Sequence, residues 1–168
     1  MNQFKEITAA QFDKNPFMIG KEWMAVTAEQ DGKVNAMTAS WGGLGFMWQK
    51  NVAFIVLRPQ RYTKELIDRS GTFSLNYLAE SCRQTLGYLG KVSGRDEDKI
   101  AKSGLTVLHS GSVPYFEEAN TVLLCKSLFV QNFEETGFLN SNMPKEFYPD
   151  KDFHHLYIAE VERILVKE

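Results

Sequence analysis

Two short stretches hold most of the residue types in this chain that could do chemistry. In the first, Asn35, Thr38 and Ser40 alternate with Met37 and Ala39 and lead to Trp41; the second is Arg58-Pro-Gln-Arg61-Tyr62-Thr63. The first offers an amide, two hydroxyls and small side chains that let a ligand approach a backbone. The second places two guanidiniums and a hydroxyl where the apolar run Val52–Leu57 gives way to a helix. A helix start carries unpaired N–H groups and partial positive charge, and an arginine fork fits phosphate better than a lysine point charge does. Together they make a cradle for a flat heteroaromatic ring with a phosphate tail. Each half also has a plainer reading. Arg58 and Arg61 would be solvated charges with Thr63 a simple cap, and Asn35–Trp41 a half-exposed strand ending in a core tryptophan.

Lys91 and Ser93 precede a further helix start, which suits an anion or a carbonyl oxygen, or only a Ser93 cap with Lys91 in solvent. Gly42-Gly43-Leu44-Gly45 lacks the spacing of a dinucleotide fingerprint and the Gly-Lys-Ser/Thr of a phosphate loop. It reads as a flexible turn, either a plain one or one that admits a ligand or partner chain. His109, His154 and His155 have no partners at ligand spacing, so no metal site is expected, and His154-His155 reads as a surface pair. No Gly-x-Ser-x-Gly elbow occurs. The adjacent carboxylates Glu117-Glu118 and Glu134-Glu135 diverge in an extended chain. Cys82, at a helix start, has no resolving partner and reads as structural.

The elements that must position these residues follow from pattern. Thr8-Ala-Ala-Gln11 is a capping box. Asp31-Gly32 between the β-prone runs Trp23–Glu29 and Val34–Ser40 predicts a hairpin. Val52–Leu57 is almost wholly apolar and predicts a strand buried on both faces, stopped by Pro59. Thr63–Arg69 predicts a helix with Leu66 and Ile67 inward and Gly71 as its cap. Thr72–Leu78 is a strand with Phe73, Leu75 and Tyr77 on one face and Asn76 on the other. Ser81-Cys-Arg-Gln84 opens a helix through Leu89, and Ser93-Gly-Arg-Asp96 opens a polar one ending at Gly104, with Arg95–Lys99 a solvated face. Thr121–Gln131 and Phe153–Val166 are the last strands, separated by a surface loop over Asn140–Asp150. With about six strands and no regular β-α alternation, an antiparallel barrel with helices at its ends fits better than a doubly wound sheet.

Bulk properties narrow the partners. The chain has 168 residues, 43% hydrophobic and 24% charged, as expected of one soluble domain. A net charge of −2 gives no reason to expect nucleic acid or an anionic membrane. No apolar run reaches the roughly 18–20 residues that span a bilayer, and Met1–Glu6 lacks a leader's apolar core. With two distant cysteines, Cys82 and Cys125, the expectation is a cytoplasmic protein with reduced thiols.

Asn35–Gly43, Leu57–Thr63, Phe73–Leu78 and Gly90–Lys99 occur in an order and spacing that resembles the flavin reductase-like family, the FMN-binding split-barrel proteins, in the branch that includes flavoredoxin. The resemblance covers about Phe17 to Val166. It implies one domain over residues 1–168, mainly β with short helices, built as an antiparallel split β-barrel. It implies a non-covalent FMN, NADH or NADPH as co-substrate, and a homodimer with flavin near the subunit interface. By position, Asn35, Met37, Thr38, Ala39, Ser40 and Trp41 would line the ring and ribityl chain. Arg58, Arg61, Tyr62 and Thr63 would hold the phosphate end, and Asn76, Lys91 and Ser93 match later family segments. Thr38 would be the catalytic contact, donating a hydrogen bond to flavin N5. The implied activity is hydride transfer from NAD(P)H to FMN, then electrons to free flavin, another small acceptor or a redox partner protein. Such a transfer needs no protein acid or base. Two departures bear on the donor and second substrate: Lys126–Gln131 has no histidine where some relatives place one, and Ile164–Glu168 has no aromatic to close over the flavin. A flavoredoxin-like electron carrier without its own nicotinamide site, or a flavin-free barrel holding another ligand such as haem, are the rival expectations.

Overall fold

The structure, a computed structural model, describes residues 4–168; residues 1–3, part of the segment read above as lacking a leader, lie outside it. The strands and helices run β1 (Phe4–Ile7), α1 (Ile19–Glu22), β2 (Met24–Gln30), β3 (Lys33–Ala39), β4 (Gly42–Met47), β5 (Lys50–Leu57), α2 (Tyr62–Ser70) and β6 (Thr72–Leu78). They continue through α3 (Arg83–Lys91), α4 (Lys99–Ser103), β7 (Val107–Ser110), β8 (Val113–Phe116), β9 (Ala119–Asn132), α5 (Asn142–Phe147) and β10 (His155–Lys167). Among the described residues no helix is long and apolar enough to cross a membrane.

One eight-stranded antiparallel sheet runs β3-β2-β6-β9-β10-β5-β4, with β1 added along β10. Its two end strands, β3 and β4, are joined by only Ser40 and Trp41. Three peptide units reach about 11 Å at most. The ends of the sheet must therefore meet, and the sheet curls round without closing, because β3 and β4 do not pair with each other. The sequence expectation of a barrel becomes a curled sheet with a seam, and the seam lies at the residues of the first stretch.

The curl divides the apolar residues into two cores. Met24, Val26, Met37, Ile55, Phe73, Leu75 and Tyr157 fill the inside, where α2 adds Leu66 and Ile67. Ala25, Ala36, Val122 and Leu124 face outward and are covered by Leu86 and Leu89 of α3 and by Val113 and Phe116 of the β7–β8 hairpin. With both faces covered, nearly all of β6 is buried. The Asp31-Gly32 hairpin forms as expected, both residues at positive φ (53° and 74°), which a two-residue turn between twisted strands requires. Gly71 caps α2 in the left-handed region at φ 71°.

Several expectations are corrected. Gly42–Gly45 is not a flexible turn but the start of β4. A Cβ on Gly42 would stand 2.2 Å from the carbonyl oxygen of Phe54, so the glycine lets β4 lie against β5, not against a ligand. β5 is not buried on both faces throughout: Phe54 and Val56 stay half-buried. The polar helix starts at Lys99, not near Ser93, because Asp98 Oδ1 accepts the N–H of Ala101 and so sets the first turn there. Ser93 Oγ instead closes a small turn on the N–H of Arg95. Asn140–Asp150 is not all surface loop: α5 forms there and buries Pro144, followed by buried Tyr148. Strand β1 and the β7–β8 hairpin are additional elements; they are short and carry little periodic signal.

Candidate functional site

At the seam, Met37, Thr38, Ala39, Ser40 and Trp41 face Val56, Arg58, Arg61 and His154 across a cleft of about 210 Å³. The strand that forms one wall is a sheet edge. In a two-residue hairpin the flanking residues, here Gln30 and Lys33, exchange hydrogen bonds, and antiparallel pairs then alternate. By that alternation Asn35, Met37 and Ala39 bond to β2. The main-chain N–H and C=O groups of Val34, Ala36 and Thr38 point away from it, along the unpaired edge. Trp41 is half exposed and packs edge-on against Phe147, with its centroid 5.2 Å from that of His154.

His154 is a wall residue of this cleft, not part of a surface pair. It is buried, and its Nδ1 lies 2.8 Å from the hydroxyl of Tyr148. Burial, then the nearby Arg58 charge, pushes its pKa down to about 4, so the imidazole is neutral at neutral pH. Its partner Tyr148 directly follows α5, a helix that local pattern did not predict, which is why spacing gave no signal of its place. Arg58 is fixed from the same side: it donates to Phe147 O at 2.8 Å, pairs with Asp152 and lies over the Tyr148 ring.

A second, smaller cleft of about 140 Å³ adjoins the first and shares Met37 and Arg61 with it. Asn35, Tyr62, Thr63, Lys91 and Ser93 line it, together with Lys99. No side chain caps α2: the N–H of Lys64 donates to Arg61 O at 3.1 Å, and among the described residues those of Tyr62 and Thr63 have no partner. Asn35 Nδ2 donates to Thr63 Oγ1 at 2.9 Å and ties β3 to that helix start. Arg61 donates to Gly90 O at 2.8 Å, and Lys99 donates to Leu89 O and Val92 O, both at 2.9 Å. Among the described residues neither cation forms an ion pair. Burial and then the charge of Arg58 lower the pKa of Arg61. Burial and then the charge of Arg61 bring that of Lys99 down to about 8. Arg61 is half-buried and Lys99 buried; like charges so placed without a counter-ion are costly, a cost that a bound anion would relieve.

The structure thus gathers Met37, Thr38, Ala39, Ser40, Trp41 and Arg58 at one cleft and Asn35, Tyr62, Thr63, Lys91 and Ser93 at the other, with Arg61 between. Asn76 does not join them. It is fully buried in β6, where its amide serves Ala25 O, Thr27 Oγ1, Ser74 Oγ and the N–H of Phe116. Its capacity is spent holding β2, β6 and β8 together. Thr38 lines the cleft, but its hydroxyl proton goes to Leu86 O at 2.5 Å. The group Thr38 leaves for a ligand is its main-chain edge. Lys99 and His154 are the residues sequence reasoning missed. Lys99 was hidden because it reads as one end of a charged helical run.

The fold is therefore a curled antiparallel sheet with a cationic cleft at its seam. Residues 19–168 match the family model described as flavin reductase like domain, and the chain belongs to that family. An uncharacterised protein of Aeropyrum pernix is 30% identical over 103 residues, covering 60% of this chain and 39% of that one. The chain spans less than half the length of the curated relatives it matches. Among solved structures, an FMN-binding domain of a flavin reductases-like enzyme from Shewanella baltica OS155 superposes with a TM-score of 0.73 at 20% identity, covering 98% of this chain and 78% of that one. Flavoredoxin of Desulfovibrio vulgaris (Miyazaki F) gives 0.69 at 23% identity, with 98% and 77% covered. These likenesses establish the fold as mainly antiparallel β with short helices.

Proposed function

We propose that this chain binds FMN non-covalently and acts as an NAD(P)H-dependent flavin reductase. The observation that carries the reading is a pair of cations, half-buried Arg61 and buried Lys99, that face a cleft at the start of α2 with no carboxylate partner among the described residues. A phosphate dianion fits that vacancy of charge better than a neutral ligand does. The structural relatives, an FMN-binding domain of a flavin reductases-like enzyme and a flavoredoxin, point the same way.

In this reading Arg61, Lys99, Lys91, Ser93 and the α2 N-terminus hold the phosphate. Met37 and Trp41 supply apolar surface for the ring, and the main-chain edge at Thr38 supplies the hydrogen bonds along it. Neutral His154, with Nδ1 engaged by Tyr148, presents its other ring nitrogen for a neutral hydrogen bond with no added charge. Bound flavin would supply the two-electron chemistry, taking hydride from NAD(P)H and passing electrons to free flavin, another small acceptor or a redox protein. The chain's own part is to bind, orient and desolvate. We also infer a homodimer that covers the exposed apolar residues Phe129 of β9 and Trp48 of the turn between β4 and β5.

The test is the visible spectrum of the purified protein, then acid release and identification of the chromophore. Added FMN should bind even to colourless protein; failure to take it up would remove the reading. Anaerobic mixing with NADH and with NADPH then separates the enzyme from an electron carrier. Rapid bleaching by either one supports the reductase, and none without a second protein leaves the carrier.

A further inference from the structure

The segment before β2 bridges the two ends of the sheet. Residues 8–23 join β1, which is paired along β10, to β2, which is paired along β3. A short helical turn over Pro16–Met18 lies against β4. Helix α1 then reaches the seam itself, where a Cβ on Gly20 would stand 3.9 Å from the main-chain oxygen of Ser40. The segment is thus a strap laid from one end strand to the other, at the place where only Ser40 and Trp41 link them.

The strap is thinly packed and held at two points. Every one of residues 8–23 is exposed or half-buried, and Phe17 is 90% exposed. A cavity of about 280 Å³ separates its Phe12 and Pro16 from Leu44, Val52, Leu123 and Ile164 of the sheet. Segments with so few buried contacts open at low cost. At the first holding point Lys14 pairs with Glu22 and lies 4.9 Å from the ring centroid of Tyr77 in β6. At the second, Arg83 of α3 donates to Lys21 O at 2.6 Å and stacks 3.3 Å from the ring centroid of Trp23. There the backbone is strained: Trp23 sits at φ 62° and ψ 171°, a region open almost only to glycine. Such a conformation persists only where its surroundings enforce it. Arg83 supplies that enforcement, from the same helix that accepts the Thr38 hydroxyl at Leu86 O and Arg61 at Gly90 O.

We propose that residues 8–23 form a strained strap that holds the seam shut, and that its release at Trp23 is the step by which a ligand enters and leaves the cleft. The proposal rests on the flavin reading above. It is tested on wild type, Arg83→Gln and Lys14→Gln by hydrogen exchange of the flavin-free protein and by stopped-flow mixing with FMN. Either substitution should speed amide exchange in residues 15–23 about tenfold and leave β2 and β6 unchanged, which also shows that the variant is folded. FMN should then associate and dissociate faster by a similar factor while Kd moves about twofold or less, because a gate alters the path to the bound state and not the bound state itself. Arg83→Lys, which keeps a charge over the ring, should fall between wild type and Arg83→Gln. Unchanged strap exchange in both variants would overturn the proposal. So would faster exchange with FMN rates unmoved, or with dissociation alone accelerated, and either result would leave the flavin reading intact. Wild type that binds no FMN would overturn that reading and the gate with it.

Discussion

Arg58 and Arg61 look equivalent in sequence and are not equivalent in the fold. Arg58 is engaged by Asp152 and Phe147 O, whereas Arg61 has only a carbonyl for a partner. Arg61→Ala should weaken FMN roughly 10- to 100-fold, the range of one charge-assisted contact, and leave riboflavin, which has no phosphate, nearly unchanged. Equal losses for both ligands in titration would place the arginine away from the phosphate. Lys99 gives a second prediction at this scale. Its pKa near 8 means that it sheds its charge as pH rises through that value. FMN affinity should fall between about pH 7 and 9 while riboflavin affinity stays flat, and a flat FMN profile would remove Lys99 from the site. His154 acts on stability. Its folded pKa of about 4 lies below the ordinary 6.5, so between those values the unfolded chain binds more protons. Stability should therefore decline as pH falls from about 6.5 towards 4, and His154→Gln should make that decline shallower in urea titrations at stepped pH.

At the scale of elements, what could be read in advance was what repeats or caps locally. The Asp31-Gly32 hairpin, α2 with its Gly71 cap and the long strands β9 and β10 all carry periodic or turn signals, and all formed. The cleft residues of β3 and of Arg58–Thr63 were legible because small polar residues there interrupt an apolar pattern. What was not legible depends on distant partners. His154 is buried only because α5 and Tyr148 fold over it, and Lys99 only because α3 ends beside it. Glycines in β4 were ambiguous for the same reason, since one glycine meets a neighbouring strand and the next meets nothing. That contrast is testable. A Cβ at Gly42, at φ 143°, would press on the Phe54 carbonyl, whereas one at Gly43 has no atom within 4 Å. Gly42→Ala should cost about 1–3 kcal/mol in chemical denaturation and Gly43→Ala less than about 0.5. Equal costs would mean that β4 does not lie against β5 as described.

At the scale of the whole molecule, the sheet that curls to make the seam also leaves an edge uncovered. Pairing of β9 with β6 stops at Lys126, while β9 runs on to Asn132 with only β10 beside it. That free stretch carries Leu128, Phe129 and Val130, each more than a third exposed, and Trp48 from the β4–β5 turn packs against Phe129 with centroids 6.2 Å apart. Phe46 of β4, two residues before Trp48, is 67% exposed. Trp48 and Gln49 both hold positive φ, 54° and 58°, a strained turn for two residues with side chains, and its effect is to project the tryptophan. An unpaired apolar strand edge invites association or aggregation unless something covers it. A second copy is the occupant our functional reading calls for, and a symmetric pair would cover both edges at once. Sedimentation of the wild type at about 10 μM, roughly the range where a micromolar interface is populated, should show a dimer. Trp48→Arg should shift it to monomer by setting an unpaired charge in the apolar contact, and flavin retention should fall with it if the partner screens the cleft from water. A wild type that sediments as a monomer would refute the pairing and leave each cleft to hold its ligand alone.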